Sequence, residues 1–223
     1  MVEQIWLLKN IPAFGNLTEE SANSVLSHGE ERTLEAGVVL EEALCSRDEV
    51  FFLISGSIEI CCQHANGSRA LLNILKAGDY WGWLESSAPD SEVLMLRTAE
   101  PVSYFVFSRA YFEEMMQRRP TVAISVTRML GLRTRRYEFR LASILYQTSR
   151  QRLASLLLEI SQATPEEPIF LSHEQLGSLV GLSREQVTRI VGEFTCAELI
   201  ESHRRKIRVL DREGLKSIRL QAE

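Results

Sequence analysis

The feature that most constrains this chain is a pair of helix-start signals close together near its C-terminal end. Ser172 and Ser183 each begin the pattern Ser-x-x-Gln, which ends at Gln175 and Gln186. In such a capping box the serine hydroxyl and the glutamine amide satisfy the exposed N–H groups of the first helical turn. Gly181-Leu182 provides a turn between the two helices, so this segment is predicted to form a helix-turn-helix.

A basic hairpin is predicted directly after these helices. Two short apolar segments, Ile200–His203 and Ile207–Leu210, flank Arg204-Arg205-Lys206. Apolar runs on both sides of a short polar turn favour a β-hairpin, and a hairpin placed here is a wing. The C-terminal region is therefore predicted to be a winged helix-turn-helix, with an amphipathic helix over 151–162 and a short strand over 169–171 before it.

The second helix of a helix-turn-helix enters the DNA major groove with its N-terminal residues against base edges. Arginine donates two bonds to guanine and glutamate accepts from cytosine, so neighbouring Arg184 and Glu185 suit base readout. An exposed ion pair between Glu185 and Arg189 is the alternative. One face of this helix carries the polar candidates and the opposite face is predicted to be buried through Val187, Ile190, Val191 and Phe194. The predicted DNA-binding residues are Arg184, Glu185, Thr188 and Arg189 on the helix, Ser172 and Ser183 at the caps, and Arg204, Arg205 and Lys206 in the wing.

The charge distribution agrees with a polyanion partner for the C-terminal half. The net charge is −5, but residues 1–112 carry 7 basic and 16 acidic residues, residues 113–145 carry 7 and 3, and residues 146–223 carry 11 and 11. The negative charge is thus concentrated in the first half of the chain. We expect nucleic acid to avoid that half and to bind the other.

A different pattern occupies the N-terminal half. Thr18 is a plausible cap for a short helix among the first 28 residues, and from Arg32 onward short apolar segments alternate with glycines. Asn66-Gly67 is predicted to be a hairpin turn. Residues 32–108 are therefore predicted to form an antiparallel jelly roll. The predicted strands are Val38–Leu40, Val50–Ile54, Ile58–Cys62, Ala70–Leu75, Val93–Leu96 and Val102–Phe107.

A long helix is predicted to follow, from Pro120 to about Gln147, after a cap at Ser108. An apolar stripe along it indicates the seam of a two-helix dimer, with packing inside one subunit as the alternative. The stripe consists of Val122, Val126, Met129, Leu132, Leu141, Ile144 and Leu145. The arginines that interrupt it, Arg133, Arg135, Arg136 and Arg140, are predicted to be solvated.

Several classes of protein are disfavoured. Glu3 stands where a secretory signal carries a basic residue, and no apolar run approaches the roughly 20 residues of a membrane span, so a cytoplasmic protein without a membrane partner is expected. No nucleophile with a matching base and no phosphate-cradling glycine loop stands out, so enzymatic activity is not expected. The cysteines (Cys45, Cys61, Cys62, Cys196) form no Cys-x-x-Cys pair and the histidines (His28, His64, His173, His203) are scattered, so no metal site is expected.

The chain resembles the CRP/FNR family of bacterial transcription factors, named after the cyclic-AMP receptor protein and the fumarate-nitrate regulator. The similarity lies in Leu7–Phe14, in Phe51–Ser57, in the long helix and in Leu176–Arg189. The resemblance implies an α+β protein with a β-roll sensor at 1–112, a dimerisation helix at 113–147 and a winged helix-turn-helix at 148–223.

The resemblance also implies a function. A homodimer would bind double-stranded DNA at a palindromic, TGTGA-like operator and act, for an activator, on RNA polymerase. A signal in the roll would rotate the DNA-binding domains about a hinge near 146–150.

The effector pocket departs from the family pattern. Cyclic-nucleotide members read Phe-Gly-Glu-Leu and, shortly after, Arg-Ser-Ala, whereas this chain has Trp81-Gly82-Trp83-Leu84 and Asp90-Ser91-Glu92. Tyr137 and Glu138 stand where those members place Thr-Ser against adenine. Cyclic AMP is therefore not the expected effector, and an iron-sulfur cluster is not expected because the first cysteine is Cys45. The candidate pocket residues are Trp81, Gly82, Trp83, Leu84, Ser91, Tyr137 and Glu138.

Other interpretations stay open at this stage. The roll could be filled by its own aromatic side chains, with activity set by abundance. A haem sensor would use His64 with Cys61 or Cys62, and a thiol switch would use Cys45. A protein-interaction module is the alternative from another class, although Arg184-Glu185 on the recognition face favours DNA.

Cyclic AMP is predicted not to bind tightly, because Asp90 would repel the cyclic phosphate and Trp83 replaces the acid that holds the ribose. Calorimetric titration of the protein with cyclic AMP should show no micromolar binding. Micromolar affinity together with improved operator binding would contradict this prediction.

Overall fold

The computed structural model describes residues 2–39, 48–63, 69–82, 94–163 and 167–220. The chain divides into two compact units, Met1–Arg133 and Thr134–Glu223. The N-terminal unit contains α1 (Val2–Asn10), α2 (Glu19–Leu26), β1 (Gly29–Leu34), β2 (Glu49–Ser55), β3 (Ser57–Gln63), β4 (Arg69–Lys76), β5 (Tyr80–Gly82), β6 (Leu94–Thr98), β7 (Val102–Ser108), α3 (Arg109–Arg118) and the first half of α4 (Pro120–Tyr146). The C-terminal unit contains the rest of α4, then α5 (Ser149–Ala163), α6 (His173–Val180), α7 (Arg184–Cys196), β8 (Ile200–His203), β9 (Lys206–Val209) and α8 (Arg212–Leu220).

Two antiparallel sheets form the roll. One has the strand order β1-β7-β2-β5 and the other has the order β4-β3-β6. Successive residues of β2 face opposite sides, as the strand period requires. Phe51 packs with Ile58 and Leu96 of the second sheet, whereas Phe52 packs with Phe14 and Phe112 of the helical layer. The predicted antiparallel roll is thus confirmed, with one core between the sheets and a second one against the helices.

The sequence pattern misses two strands of this roll. β1 reads Gly-Glu-Glu-Arg-Thr-Leu, which has no apolar alternation, and it begins before the predicted start of the roll at Arg32. It forms because all six of its residues pair with β7. β5 has three residues and pairs with β2. Both strands depend on partners that are distant in the chain.

The predicted local signals are confirmed elsewhere in the N-terminal unit. The Thr18 hydroxyl accepts from the Ser21 N–H at 3.2 Å, and the Ser108 hydroxyl accepts from the Tyr111 N–H at 3.3 Å, so both cap their helices. The predicted strand Val38–Leu40 is wrong for its described residues, because Val38 belongs to no strand and Val39 makes only an isolated bridge with Arg97. Leu40 and the Asn66-Gly67 turn lie outside the described residues. None of the helices described here is long and apolar enough to cross a membrane.

The C-terminal unit follows the predicted order with two differences. The predicted strand over 169–171 is wrong: it is reduced to a single bridge, in which Ile169 exchanges N–H···O bonds with Ile207 at 2.7 and 3.0 Å. In the wing, Lys206 is the first residue of β9 and pairs with His203, so the turn contains Arg204 and Arg205 alone. A two-residue turn is the shortest connection between antiparallel strands, and it leaves both arginines exposed at the tip.

The predicted apolar seam of the long helix is only partly exposed. Val122 and Val126 are buried in the core against the roll, and Met129 packs beside them, so these three residues belong to the interior of their own subunit. The later positions of the stripe remain exposed. The exposed fractions are 54% for Leu132, 60% for Leu141, 50% for Ile144 and 64% for Leu145.

Arg133 is not a solvated charge, and the prediction for it is wrong. It is 7% exposed, and its Nη2 donates to the Tyr80 carbonyl oxygen at 2.8 Å. Its guanidinium lies 5.4 Å from the centre of the Tyr80 ring. A guanidinium tolerates burial where a carbonyl and an aromatic face replace water. Arg133 therefore ties the long helix to β5.

Replacing Arg133 with Met should lower the free energy of unfolding by about 1–3 kcal/mol, because the charged hydrogen bond to the buried Tyr80 carbonyl is lost. Urea unfolding followed by tryptophan fluorescence measures this change. Arg128→Met is the matched control, since Arg128 is exposed on the same helix and its replacement should change stability by less than about 0.5 kcal/mol. Equal effects of the two substitutions would contradict a structural role for Arg133.

Candidate nucleic-acid interface

The two predicted capping boxes are both formed. The Ser172 hydroxyl accepts from the Gln175 N–H at 3.1 Å, and the Gln175 side-chain oxygen accepts from the Ser172 N–H at 2.8 Å. Ser183 and Gln186 make the equivalent bonds at 3.2 and 2.9 Å. These bonds fix where α6 and α7 begin, and so they set the start of the recognition helix.

The two helices approach closely at Gly177. A Cβ atom on Gly177 would lie 2.4 Å from the Leu182 carbonyl oxygen, which is much shorter than any normal contact. The Leu182 N–H also donates to the Gly177 carbonyl at 2.9 Å. Gly181 ends α6 with a φ of +65°, a left-handed conformation that suits glycine. Small residues therefore allow the tight angle between α6 and α7.

The recognition helix α7 has one buried face and one exposed face. Val187, Ile190, Val191 and Phe194 are buried, as predicted. The four polar candidates on the opposite face, Arg184, Glu185, Thr188 and Arg189, are all exposed. This exposed face presents two cations, one carboxylate and one hydroxyl within two turns of the helix start.

Glu185 is held at the start of α7. Hydrogen bonds from its own backbone N–H and from Ser183 lower the pKa of the Glu185 carboxyl. A carboxylate is favoured at a helix N-terminus because the N–H groups there point toward it. Glu185 is consequently ionised at neutral pH, as an acceptor for a cytosine amino group must be.

Arg189 pairs with Glu193, one turn further along the helix. Their Nη1 and Oε1 atoms are 2.7 Å apart, and Arg150 of α5 approaches the other oxygen of Glu193 at 3.9 Å. The alternative suggested by spacing, a pair with Glu185, is replaced by this contact. Exposed pairs of this kind contribute about 0–1 kcal/mol, so Arg189 can leave Glu193 at little cost.

His173 belongs to the same surface and was not predicted as a site residue. Its Nδ1 lies 2.8 Å from the Thr188 hydroxyl, across the two helices. Partial burial, and then the charge of Arg184, lower the pKa of His173. The sequence signal that could have identified His173 is its position directly after the cap Ser172, at the first residue of α6.

The predicted phosphate contacts of the wing are exposed. Arg204 and Arg205 form the turn between β8 and β9, and Lys206 follows as the first residue of β9. Arg205, the second residue of this turn, has a φ of +55°, in the left-handed region that residues outside tight turns rarely adopt. The wing therefore presents three cations at its tip.

The candidate effector residues are distributed over both units. Trp81 is 6% exposed and packs in the core between the two sheets, and its Nε1 has no hydrogen-bond partner among the described residues. A Cβ on Gly82 would lie 2.5 Å from the Glu49 carbonyl oxygen. Tyr137 and Glu138 are exposed on the part of α4 in the C-terminal unit. Trp83, Leu84 and Ser91 lie outside the described residues.

The sulfur and histidine candidates give no metal centre in the described part of the chain. Cys61 is buried and Cys62 is half-buried on β3. Cys45 and His64 lie outside the described residues. Within the described ranges no three His, Cys, Asp or Glu side chains are placed to hold a metal ion.

Comparisons with known proteins cover both units. The Crp-like helix-turn-helix domain matches residues 151–218, and the cyclic nucleotide-binding domain matches residues 31–119. The CRP-like cAMP-activated global transcriptional regulator of Mycobacterium tuberculosis is 26% identical over 175 residues, which cover 75% of this chain and 78% of that protein.

Solved structures with the same fold include two bacterial proteins. A mutant of CooA from Carboxydothermus hydrogenoformans has a TM-score of 0.77 at 19% identity, covering 94% of this chain and 95% of that one. FixK2 from Bradyrhizobium japonicum has a TM-score of 0.73 at 18% identity, covering 87% of this chain and 99% of that one. At these identities the structures establish the fold alone.

Replacing Gly177 with Ala should destabilise the C-terminal unit by about 1–3 kcal/mol, because the added methyl group collides with the Leu182 carbonyl. Gly192→Ala is the matched control: Gly192 lies in α7 with nothing near the position of an added Cβ, so alanine should stabilise by about 0.5–1 kcal/mol. Thermal unfolding measures both. A Gly177→Ala variant as stable as the wild type would show that α6 and α7 tolerate a wider separation.

Proposed function

Because the chain belongs to the CRP/FNR family of transcription regulators, we propose that it is a homodimer that recognises an inverted-repeat operator. Its helix-turn-helix is a DNA-binding domain of the Crp-like type. The proposal concerns what this domain reads, how two chains act together and what controls them.

The observation that carries the proposal is the exposed face of α7. Arg184, Glu185 and Arg189 are exposed on it, whereas apolar side chains hold the opposite face against the domain. In the major groove Arg184 and Arg189 would each donate to guanine, and Glu185 would accept from cytosine. A half-site resembling TGTGA fits this order of side chains by the family resemblance.

The caps and the wing supply the phosphate contacts in this proposal. The Ser172 hydroxyl accepts a bond from a backbone N–H and keeps its own hydrogen for a phosphate oxygen. The Ser183 hydroxyl also accepts a backbone N–H, but its hydrogen bonds to the Glu185 carboxylate and would have to leave it to reach a phosphate. Helix N-termini also attract anions. The wing residues Arg204, Arg205 and Lys206 would add charge, and Thr188 would add a hydroxyl.

The proposed dimer uses the exposed part of the α4 stripe. Leu132, Leu141, Ile144 and Leu145 are each at least half exposed, and apolar side chains repeated along one helix are typical of a coiled-coil seam. Light scattering should give about twice the 25.4 kDa of one chain. A monomer at micromolar concentration that still binds an inverted repeat tightly would contradict the dimer.

The signal is proposed to differ from cyclic AMP. The Mycobacterium relative is named as cAMP-activated, but Trp83 and Asp90 replace an acid and a cation that cyclic-nucleotide members use by the family pattern. The burial of Trp81 between the sheets favours a roll filled by its own side chains, with activity set by abundance. The dimer would act on transcription through RNA polymerase, and no catalytic step is proposed.

Selection of binding sites from random duplex DNA tests the readout. The wild type should return two inverted half-sites about one helical turn apart. Glu185→Ala and Arg184→Ala should each lose preference at particular base pairs, by about 1–3 kcal/mol for each lost contact. Arg204→Ala and Lys206→Ala should instead weaken all sequences alike and reduce the salt dependence.

Two exposed residues of α8 serve as controls for these variants. Glu213→Ala and Arg219→Ala remove the same charges without touching α7 or the wing, and both should return the wild-type motif. If Glu185→Ala also returned the wild-type motif with the same information at every position, Glu185 would not read a base, and the assignment of this face to the major groove would be wrong.

A further inference from the structure

The hydrogen bonds around Thr188 determine which nitrogen of His173 carries the proton. The Thr188 hydroxyl donates to the Arg184 carbonyl oxygen at 2.8 Å, and a carbonyl oxygen can only accept. The single hydroxyl hydrogen is therefore used. The 2.8 Å contact between His173 Nδ1 and the same hydroxyl must then be a bond that Nδ1–H donates.

This assignment leaves Nε2 without a hydrogen in neutral His173. A neutral imidazole carries one N–H group, and here that group is on Nδ1. The lone pair of Nε2 repels an anionic oxygen. Protonation adds a hydrogen to Nε2 and keeps the bond to Thr188, so the ring becomes a donor at both nitrogens. Among the described residues Nε2 has no hydrogen-bond partner that would compete.

His173 lies at the end of α6 that begins beside the recognition helix. His173 is the first residue of α6, directly after the capping Ser172, and it contacts the exposed face of α7 through Thr188. In a helix-turn-helix the first helix crosses the phosphate backbone while the second lies in the groove. In a complex of this type the N-terminal end of α6, which lies beside the recognition helix, would be the part of α6 closest to the phosphates that flank the groove.

Burial and a neighbouring cation disfavour the charged form of His173 in the free protein. Partial burial disfavours the charged ring, and Arg184 on α7 repels it; both lower the pKa of His173 below its usual value. The other ionisable side chains in the first two turns of these helices are Glu174 on α6 and Glu185 and Arg189 on α7. A bound phosphate would reverse the balance, because its negative charge favours the imidazolium.

We propose that His173 donates to a DNA phosphate through Nε2 in its protonated form, so that each DNA-bound protomer takes up one proton. The inference rests on the DNA-binding function proposed above and adds to it a contact that senses pH. The direction of the pH effect follows from the pKa of His173 in the free protein and in the DNA-bound protein. Free His173 titrates below its ordinary pKa and bound His173 above it, so DNA affinity falls as the pH rises between these two values.

The test is the pH dependence of DNA binding by fluorescence anisotropy, from about pH 5.5 to about pH 8.5 at constant ionic strength. Two labelled duplexes serve as probes, one with inverted TGTGA half-sites and one of random sequence at low salt, because a phosphate contact carries no sequence information. For the wild type, affinity for both should fall by up to about tenfold per pH unit for each bound protomer, which is the linkage for one proton.

Three variants isolate the contribution of His173. His173→Gln should bind DNA with an affinity that does not change with pH and that is close to the wild-type affinity at high pH. His173→Arg should bind DNA with an affinity that does not change with pH and that is close to the wild-type affinity at low pH, since the arginine charge does not titrate in this range. His28→Gln is the matched control, because His28 is an exposed histidine of the N-terminal unit, outside α6, α7 and the wing, and its loss should leave the wild-type slope. Circular dichroism melts confirm that each variant is folded.

A measurement on the unmodified protein keeps the inference testable if a variant is unstable. NMR titration of the His173 ring should give a higher pKa in the DNA complex than in the free protein. The salt dependence should also be steeper at low pH, by about one phosphate contact for each protomer. A flat wild-type profile, an unchanged pKa on binding, or a His173→Gln variant that keeps the wild-type slope would overturn the inference. Failure to bind either duplex at any pH would instead contradict the proposed function itself.

Discussion

The close approach of α6 and α7 at Gly177 is the constraint on which the recognition surface depends. With hydrogen as its side chain, Gly177 lies against the Leu182 carbonyl, and the capping boxes at Ser172 and Ser183 begin each helix at a defined residue. Because these three features set the angle and the start of α7, they decide which side chains face outward. The charges of Arg184, Glu185 and Arg189, and the contact between His173 and Thr188, follow from that geometry.

The long helix α4 has two different environments along its length. Its first turns contribute Val122 and Val126 to the core of the roll, whereas Leu141 and Leu145 near its end are exposed. Arg133 stands at the end of the N-terminal unit and bonds to the Tyr80 carbonyl of β5. Strand β5 leads directly into the segment where cyclic-nucleotide members of the family hold their ligand. The helix is thus attached to the roll at the strand that contains Trp81 and Gly82, two of the candidate effector residues.

The recognition surface illustrates why some site residues are predictable and others are not. Arg184 and Glu185 are found from sequence because a capping box and a period of 3.6 residues locate them on an exposed face. His173 is not found in that way, because its role comes from a hydrogen bond to Thr188 on the next helix. The partner of Arg189 is likewise decided by which carboxylate the folded chain brings nearest, and this is Glu193.

The sequence by itself determined the long helix, the winged helix-turn-helix and the outward face of α7, because caps, glycine turns and apolar periods act over a few neighbouring residues. Tertiary structure decided the remainder. Strand β1 forms through its pairing with β7 despite a polar sequence, and Arg133 is buried because a carbonyl and a ring from β5 meet it there. Which part of the α4 stripe is covered also depends on where the roll ends. Such outcomes depend on groups far apart in the chain, whose meeting is set by the packing of whole elements rather than by local preference.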